Sequence, residues 1–164
     1  MNALPVLLAL WRIGVVSDSE VEAWVNSELA HSDNPSEALL DLACHGPAIC
    51  MSWAEHVFPI RPFKLRYQDE FALRALVLNL NVDEELGRFA SWVVDACRYE
   101  DRKDELVRFG YELDALFLEY CDESGAVAQL RQHLPVLKPR LLDSARALAE
   151  LVPGLVPSRL QAFS

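Results

Sequence analysis

Glu105, Glu112 and Glu119 recur at intervals of seven residues. On a helix seven residues make two turns, so the three carboxylates fall on one stripe, roughly opposite Phe109, Leu113 and Phe117. Asp101, Asp122 and Glu123 extend the stripe at its ends, Arg108 partly offsets it, and Tyr111 stands beside Glu112. The chemistry such a ridge performs is electrostatic. It steers a cationic protein surface and pairs with its lysines or arginines, while an adjacent aromatic supplies a desolvated anchor. The same stripe is also what an ordinary solvated helix face looks like. Asp83-Glu84-Glu85 forms a second acidic cluster, suited to the first turn of a helix and its macrodipole.

No other constellation reaches a recognisable reaction. Cys44, His45, Cys50 and His56 are metal-capable, but lack the Cys-x-x-Cys and His-x(3–5)-His spacings of structural zinc. Glu28-Leu29-Ala30-His31 matches one Glu-x-x-His element of a di-iron bundle, and the required second copy is missing. Ser52 lacks the Gly-x-Ser-x-Gly elbow, and no glycine cluster could cradle a phosphate. The expectation is no catalytic residue, no metal and no cofactor.

Charge is segregated along the chain. Residues 1–55 sum to −7, 56–82 to +2, 83–123 to −8 and 124–164 to +3, for a total of −10 over 164 residues. That balance disfavours nucleic acid and anionic membrane as partners, since their phosphates would be repelled. Arg61, Lys64 and Arg66 interleave with Phe63 and Tyr67, a combination known from nucleic-acid surfaces. In a chain this acidic, they fit better as an internal salt-bridging loop or hairpin. Four cysteines in apolar helical settings read as reduced core thiols. The apolar run Ala3–Leu10 has no basic flank and is well short of the ~20 residues of a membrane span, so a cytoplasmic location is expected.

The elements that position these groups are helical. With 52% apolar residues and six glycines, a substantial core is expected. Residues 4–13 form an apolar helix ended by Gly14. Ser17 and Glu20 have capping-box spacing ahead of Val21, Trp24, Val25 and Leu29. Asn34-Pro35-Ser36-Glu37 starts another helix, with the proline at its first position, and Gly46-Pro47 stops it. Residues 63–68 alternate like a strand, which could pair with 76–80. Residues 70–80 otherwise read as a central buried helix. Asn81 caps a helix with core face Val82, Leu86, Phe89, Val93 and Cys97. Helix 103–121 is broken by Gly125, and a last helical region, 126–151, is interrupted by Pro135 and Pro139. The expected fold is all-α: one domain over 1–152, six to eight helices with room for one minor β-hairpin, and a loose tail over 153–164.

The arrangement in residues 4–45 resembles small acidic helical bacterial immunity proteins of polymorphic-toxin systems. The features concerned are an apolar helix ending in Gly14, then Val15-Val16-Ser17 leading to Glu20, Val21 and Trp24. A proline-started helix with Glu37, Leu39, Leu40 and Leu42 follows. The resemblance implies an inhibitor that binds one cognate toxin and blocks its active site, and it carries no functional residue onto this sequence. The residues themselves leave three readings. The first is a binding protein for a cationic partner such as a toxin domain, through Asp101, Glu105, Tyr111, Glu112, Glu119, Asp122 and Glu123. The second is a homo-oligomeric scaffold using a second apolar face of helix 103–121 (Val107, Tyr111, Leu118). The third is an enzyme with His45 or His56 in a pocket between helices.

Overall fold

The computed structural model describes residues 3–118 and 122–161, with the backbone alone at Leu118. Among these residues there are eight helices and no strand: α1 (Ala3–Ile13), α2 (Asp18–Ala30), α3 (Glu37–Ser52), α4 (Tyr67–Val77), α5 (Asp83–Ala96), α6 (Glu105–Leu118), α7 (Glu123–Ala149) and α8 (Ser158–Gln161). A 3-10 turn, Cys97–Tyr99, follows α5. None of the helices is long and apolar enough to cross a membrane. The chain groups into two compact units, Met1–Lys64 with Arg146–Ser164, and Leu65–Ala145.

In unit 1, α1 is apolar on every side, and Val6, Leu7, Leu8, Ala9 and Leu10 are all fully buried. A helix without a polar face must be enclosed by its neighbours. Gly14 ends it at φ 87, a conformation that costs a side-chain-bearing residue free energy, and lets the Val15 amide donate back to the Leu10 carbonyl at 3.0 Å. Three residues later the capping box forms as its spacing predicts. The Glu20 amide donates to the Ser17 hydroxyl at 3.3 Å, and the Ser17 amide donates to the Glu20 carboxylate at 2.8 Å. Replacing Ser17 by alanine is therefore expected to destabilise unit 1 by about 1 kcal/mol, read as a lowered urea midpoint.

Helix α2 packs on α3 and on α1, and the Trp11 indole N–H reaches the Asp18 carboxylate at 2.6 Å. The cap of α3 lies two residues beyond Asn34. Ser36 is the cap and accepts from the Leu39 amide, so Pro35 precedes the helix instead of opening it. At Gly46 (φ 75, ψ 166) α3 kinks and continues, with Pro47 leading the second half. Arg61 closes the following loop by donating to the carbonyls of Phe58, Ile60 and Trp53.

The alternation holds as burial only over 64–67, with Leu65 and Tyr67 inside and Lys64 and Arg66 outside; Phe63 is exposed and Gln68 half-buried. It belongs to an extended approach to α4, and no strand pairs with it. Residues 76–80 likewise form no strand, since α4 runs to Val77.

The core of unit 2 is aromatic. Phe71 on α4 packs its ring edge-to-face against Phe89 on α5 (5.2 Å between centroids) and Phe109 on α6 (6.2 Å). Tyr67 and Phe89 flank Trp92 in stacked geometry. Leu86, Phe89, Val93 and Cys97 are buried as expected from α5, whereas Val82 is half-buried. Val82 rather than Asn81 occupies the cap position of α5, with no side-chain bond, and the Asn79 carboxamide oxygen accepts from the Asn81 amide instead. Helix α7 passes through Pro135 and Pro139. The two prolines are four residues apart and both exposed, so the carbonyls that lose their N–H partners lie on the solvent face. The segment 153–161, expected as loose, is tied to α2 in unit 1 by hydrogen bonds from the Trp24 indole to the Pro153 carbonyl and from the Ser158 amide to Glu20, and Leu160 is buried.

Candidate functional site

Of the predicted ridge, Glu105 and Glu112 lie exposed on α6, and both already have partners within unit 2. Glu105 is exposed and accepts from Arg140 of α7 at 2.8 Å. Arg140 also stands 3.9 Å from Asp104. Glu112 accepts from the Gln129 carboxamide at 3.1 Å. Asp101 holds the turn before α6 by accepting from the Lys103 amide. Asp104 caps the helix, its carboxylate accepting from the Leu106 and Val107 amides. Tyr111 is half-buried, donates its hydroxyl to the Arg98 carbonyl at 3.0 Å, and lies beneath the Arg102 guanidinium at 4.0 Å. Those contacts tie α6 to the 3-10 turn. Glu119 lies outside the described residues. Val107 is fully buried, so one of the three side chains of the expected second apolar face belongs to the core. Leu118's side chain lies outside the described atoms.

Asp122 and Glu123 sit elsewhere, at the start of α7. Asp122 is its cap: the carboxylate accepts from the Gly125 amide at 2.8 Å and from the Ser124 hydroxyl at 3.0 Å. Gly125 therefore belongs to the first turn of α7 and does not break α6. A side chain at 125 would collide with the Asp122 carboxylate. The start of α7 is brought beside the start of α5, close enough that Glu123 lies 3.0 Å from where a Cβ on Gly87 would be. Two acidic clusters 40 residues apart in the sequence thereby become neighbours.

Between these two helix starts lies a cavity of about 630 Å³, lined by Asp83, Glu84, Asp122, Glu123, Ser124, Val127 and Arg131. Arg131 pairs with Asp83 and donates to the Leu80 carbonyl at 2.9 Å. Glu84 pairs with Arg88 one turn on. Two guanidiniums thus face four carboxylates. Backbone N–H dipoles at both helix starts stabilise the excess negative charge, which explains how the cluster is tolerated in the free protein. Chemically the groove can hold a guanidinium or ammonium group by charge-assisted hydrogen bonds.

The remaining candidates separate. Cys44 is exposed, contrary to its reading as a core thiol; Cys50 and Cys97 are buried and free. Burial, with Asp41 and Cys44 adding to it, pushes the Cys50 thiol up; burial with Asp114 does the same at Cys97. Both thiols are correspondingly poor nucleophiles. Cys121 is outside the described residues. His45 and His56 are exposed, and the His45 ring packs edge-on to Trp53 at 5.0 Å. Among the described residues no group of three or more His, Cys, Asp or Glu side chains is placed to hold a metal. Arg66 pairs with Asp69 of α4 at 2.8 Å, the loop form of the expected internal salt bridge and not a hairpin. Comparison with protein-family models, with curated proteins and with solved structures finds no match.

Proposed function

We propose that this chain is a non-enzymatic binding protein of immunity or inhibitor type, which occludes a basic protein partner with an acidic surface on unit 2. The single observation that carries the reading is the groove between the starts of α5 and α7, where Asp83, Glu84, Asp122 and Glu123 converge and, among the described residues, the guanidiniums of Arg131 and Arg88 pair with Asp83 and Glu84. The docking surface is accordingly placed at this groove and its exposed rim, Glu84 and Glu123. The α6 stripe is secondary, because Arg140 and Gln129 already satisfy Glu105 and Glu112. A partner arginine or lysine entering the groove gains charge-assisted bonds, and the long-range field of the cluster speeds its arrival.

An oligo-arginine peptide is the probe. Titrated into isotopically labelled protein, it is expected to move the backbone amide signals of the first turns of α5 and α7 before those of α6. Affinity is expected to fall as salt rises past roughly 0.15 M, where the Debye length is about 8 Å. Glu84→Lys combined with Glu123→Lys leaves the Asp122 cap intact and is expected to weaken the peptide roughly fivefold to tenfold. Shifts centred on α6, or spread evenly over the surface, would remove the groove from the reading.

A homo-oligomeric scaffold remains the second reading, on a different observation from the α6 face. Leu40, Ile49 and Val57 of unit 1 are each about half exposed, at 46%, 50% and 51%. Sedimentation separates the two: a dimer indifferent to salt supports the scaffold, a monomer supports the inhibitor.

A further inference from the structure

Residues 153–158 form a strap over α2 in unit 1. Its ends are secured. Val152 and Leu160 are 1% and 6% exposed. The Trp24 indole N–H donates to the Pro153 carbonyl at 2.8 Å, and the Ser158 amide donates to the Glu20 carboxylate at 2.7 Å. Its middle is not packed in the same way. Val156 is 64% exposed and Leu155 half-buried. A cavity of about 270 Å³ lies between the strap and α2, lined by Ala23, Trp24 and Ser27 among others. Another of about 350 Å³ lies between the strap and the last turn of α7 with α8. Gly154 stands between the two pins at φ 76, where a backbone without a Cβ moves most freely.

We propose that residues 153–158 are a latch, which swings open about Gly154 while the remainder of unit 1 stays folded, and which uncovers the Trp24 indole when it does. Cavities on both faces mean that residues 153–156 have few dispersion contacts to lose on lifting, whereas Pro157, next to the Ser158 pin, is buried. The barrier to opening is then set by two polar pins and the buried Pro157 ring beside the second of them, few contacts for a six-residue segment, which places it at the low end of the local stabilities of the fold.

One pin is ionisable. Glu20 is shared: one carboxylate oxygen accepts from the Ser158 amide, the other from the Ser17 amide and hydroxyl. Partial burial pushes its pKa up, but the bonds from Ser158 and Ser17 together outweigh that and hold it below the ordinary glutamate range. The charged groups on the same and neighbouring elements are Arg12 of α1, Asp18, Glu22 and Glu28 of α2, Arg146 and Glu150 near the end of α7, and Arg159 of α8. The shift comes from the hydrogen bonds and not from these charges. A carboxylate whose folded pKa is depressed stabilises the closed latch fully above its unfolded value. That stabilisation is lost as the pH falls through the folded value. The bond from the Glu20 amide to the Ser17 hydroxyl does not use the carboxylate, so α2 keeps that part of its cap.

Hydrogen exchange of the intact chain, followed residue by residue from neutral to acid pH, tests the latch. The protection factor of the Ser158 amide is expected to fall about tenfold as Glu20 protonates, the loss of one charge-assisted bond. The core amides of Val25 and Leu42 are expected to keep theirs. Glu20→Gln should show the lowered Ser158 protection already at neutral pH, with no acid step. Trp24→Phe should lower it at every pH, since the indole pin does not titrate. If Ser158 loses protection only together with Val25 and Leu42, or keeps it throughout, the latch does not exist. An acid step that survives in Glu20→Gln would equally overturn it. Should Glu20→Gln fail to fold, the titration of the unmodified chain decides alone.

Discussion

Replacing Phe71 by alanine is expected to destabilise unit 2 by about 3–5 kcal/mol, a large part of the roughly 5–15 kcal/mol that holds a typical domain folded. The ring is fully buried, on a helix start that meets two others: Phe89 of α5 and Phe109 of α6 both contact it edge-to-face, and Tyr67 tilts against it at 6.0 Å. Each edge-to-face pair is worth about 0.5–1.5 kcal/mol beyond its buried area. No neighbour can fill the void, because Phe89 and Tyr67 are themselves committed to Trp92. Urea denaturation followed by hydrogen exchange of unit 2 amides gives the number, with Phe71→Leu as the milder control. A cost under about 1 kcal/mol would mean that the cluster collapses around the gap and is not the packed centre of the unit.

What could be read from the sequence was whatever neighbouring residues decide among themselves. Ser17 and Glu20 meet across three residues, and Gly14 needs only its own backbone, so both ends were legible. Where two caps compete within a few positions, local chemistry does not rank them: Ser36 prevails over Asn34, Val82 over Asn81. At 63–68 the alternation matches the burial of Leu65 and Tyr67 but not the exposure of Phe63, and a strand also needs a partner, which none of the described residues supplies. The two-unit organisation was hidden for a related reason. Unit 1 is completed by residues 146 onward, reached through α7, and no change of composition marks that return.

The acidic site shows the same boundary. The seven-residue spacing placed Glu105 and Glu112 on one exposed face, and both are exposed. Their partners were invisible, because Arg140, which pairs with Glu105, and Gln129, which hydrogen-bonds Glu112 without neutralising it, are 35 and 17 residues away. Pairs at helical spacing, Arg88 with Glu84 and Arg74 with Glu70, follow from the sequence directly. The convergence of Asp83 with Asp122 needs the antiparallel return of the chain and has no local signal. The groove therefore replaces the ridge as the docking candidate, while the underlying idea of a cationic partner is unchanged.

The second large effect is expected at Gly110. A Cβ built there would lie 2.8 Å from the Cys97 Cβ and 2.9 Å from its sulfur, with the Tyr67 hydroxyl oxygen at 3.1 Å. Two carbon atoms that close cannot be separated by a side-chain rotation, so Gly110→Ala must push α6 away from the 3-10 turn. The gain in helix propensity, about 1 kcal/mol, is set against overpacking of roughly 1–3 kcal/mol. The displacement also strains the bond from the Tyr67 hydroxyl to the Leu106 carbonyl, which stands at 3.1 Å. That hydroxyl is buried, and desolvation, with Cys97, Asp104 and Glu100 nearby, raises its pKa well beyond the ordinary tyrosine range, so it stays a neutral donor that needs its acceptor. Net destabilisation is expected, measured as a lowered urea midpoint. The rescue pattern identifies the cause. Cys97→Ala removes the sulfur but leaves the offending carbon, so it should recover little of the loss in the Gly110→Ala background. Cys97→Gly removes both and should recover more, despite the cost of a second flexible residue. Equal rescue by the two would show that the sulfur alone sets the contact and that the helix can approach the turn more closely than its glycine implies.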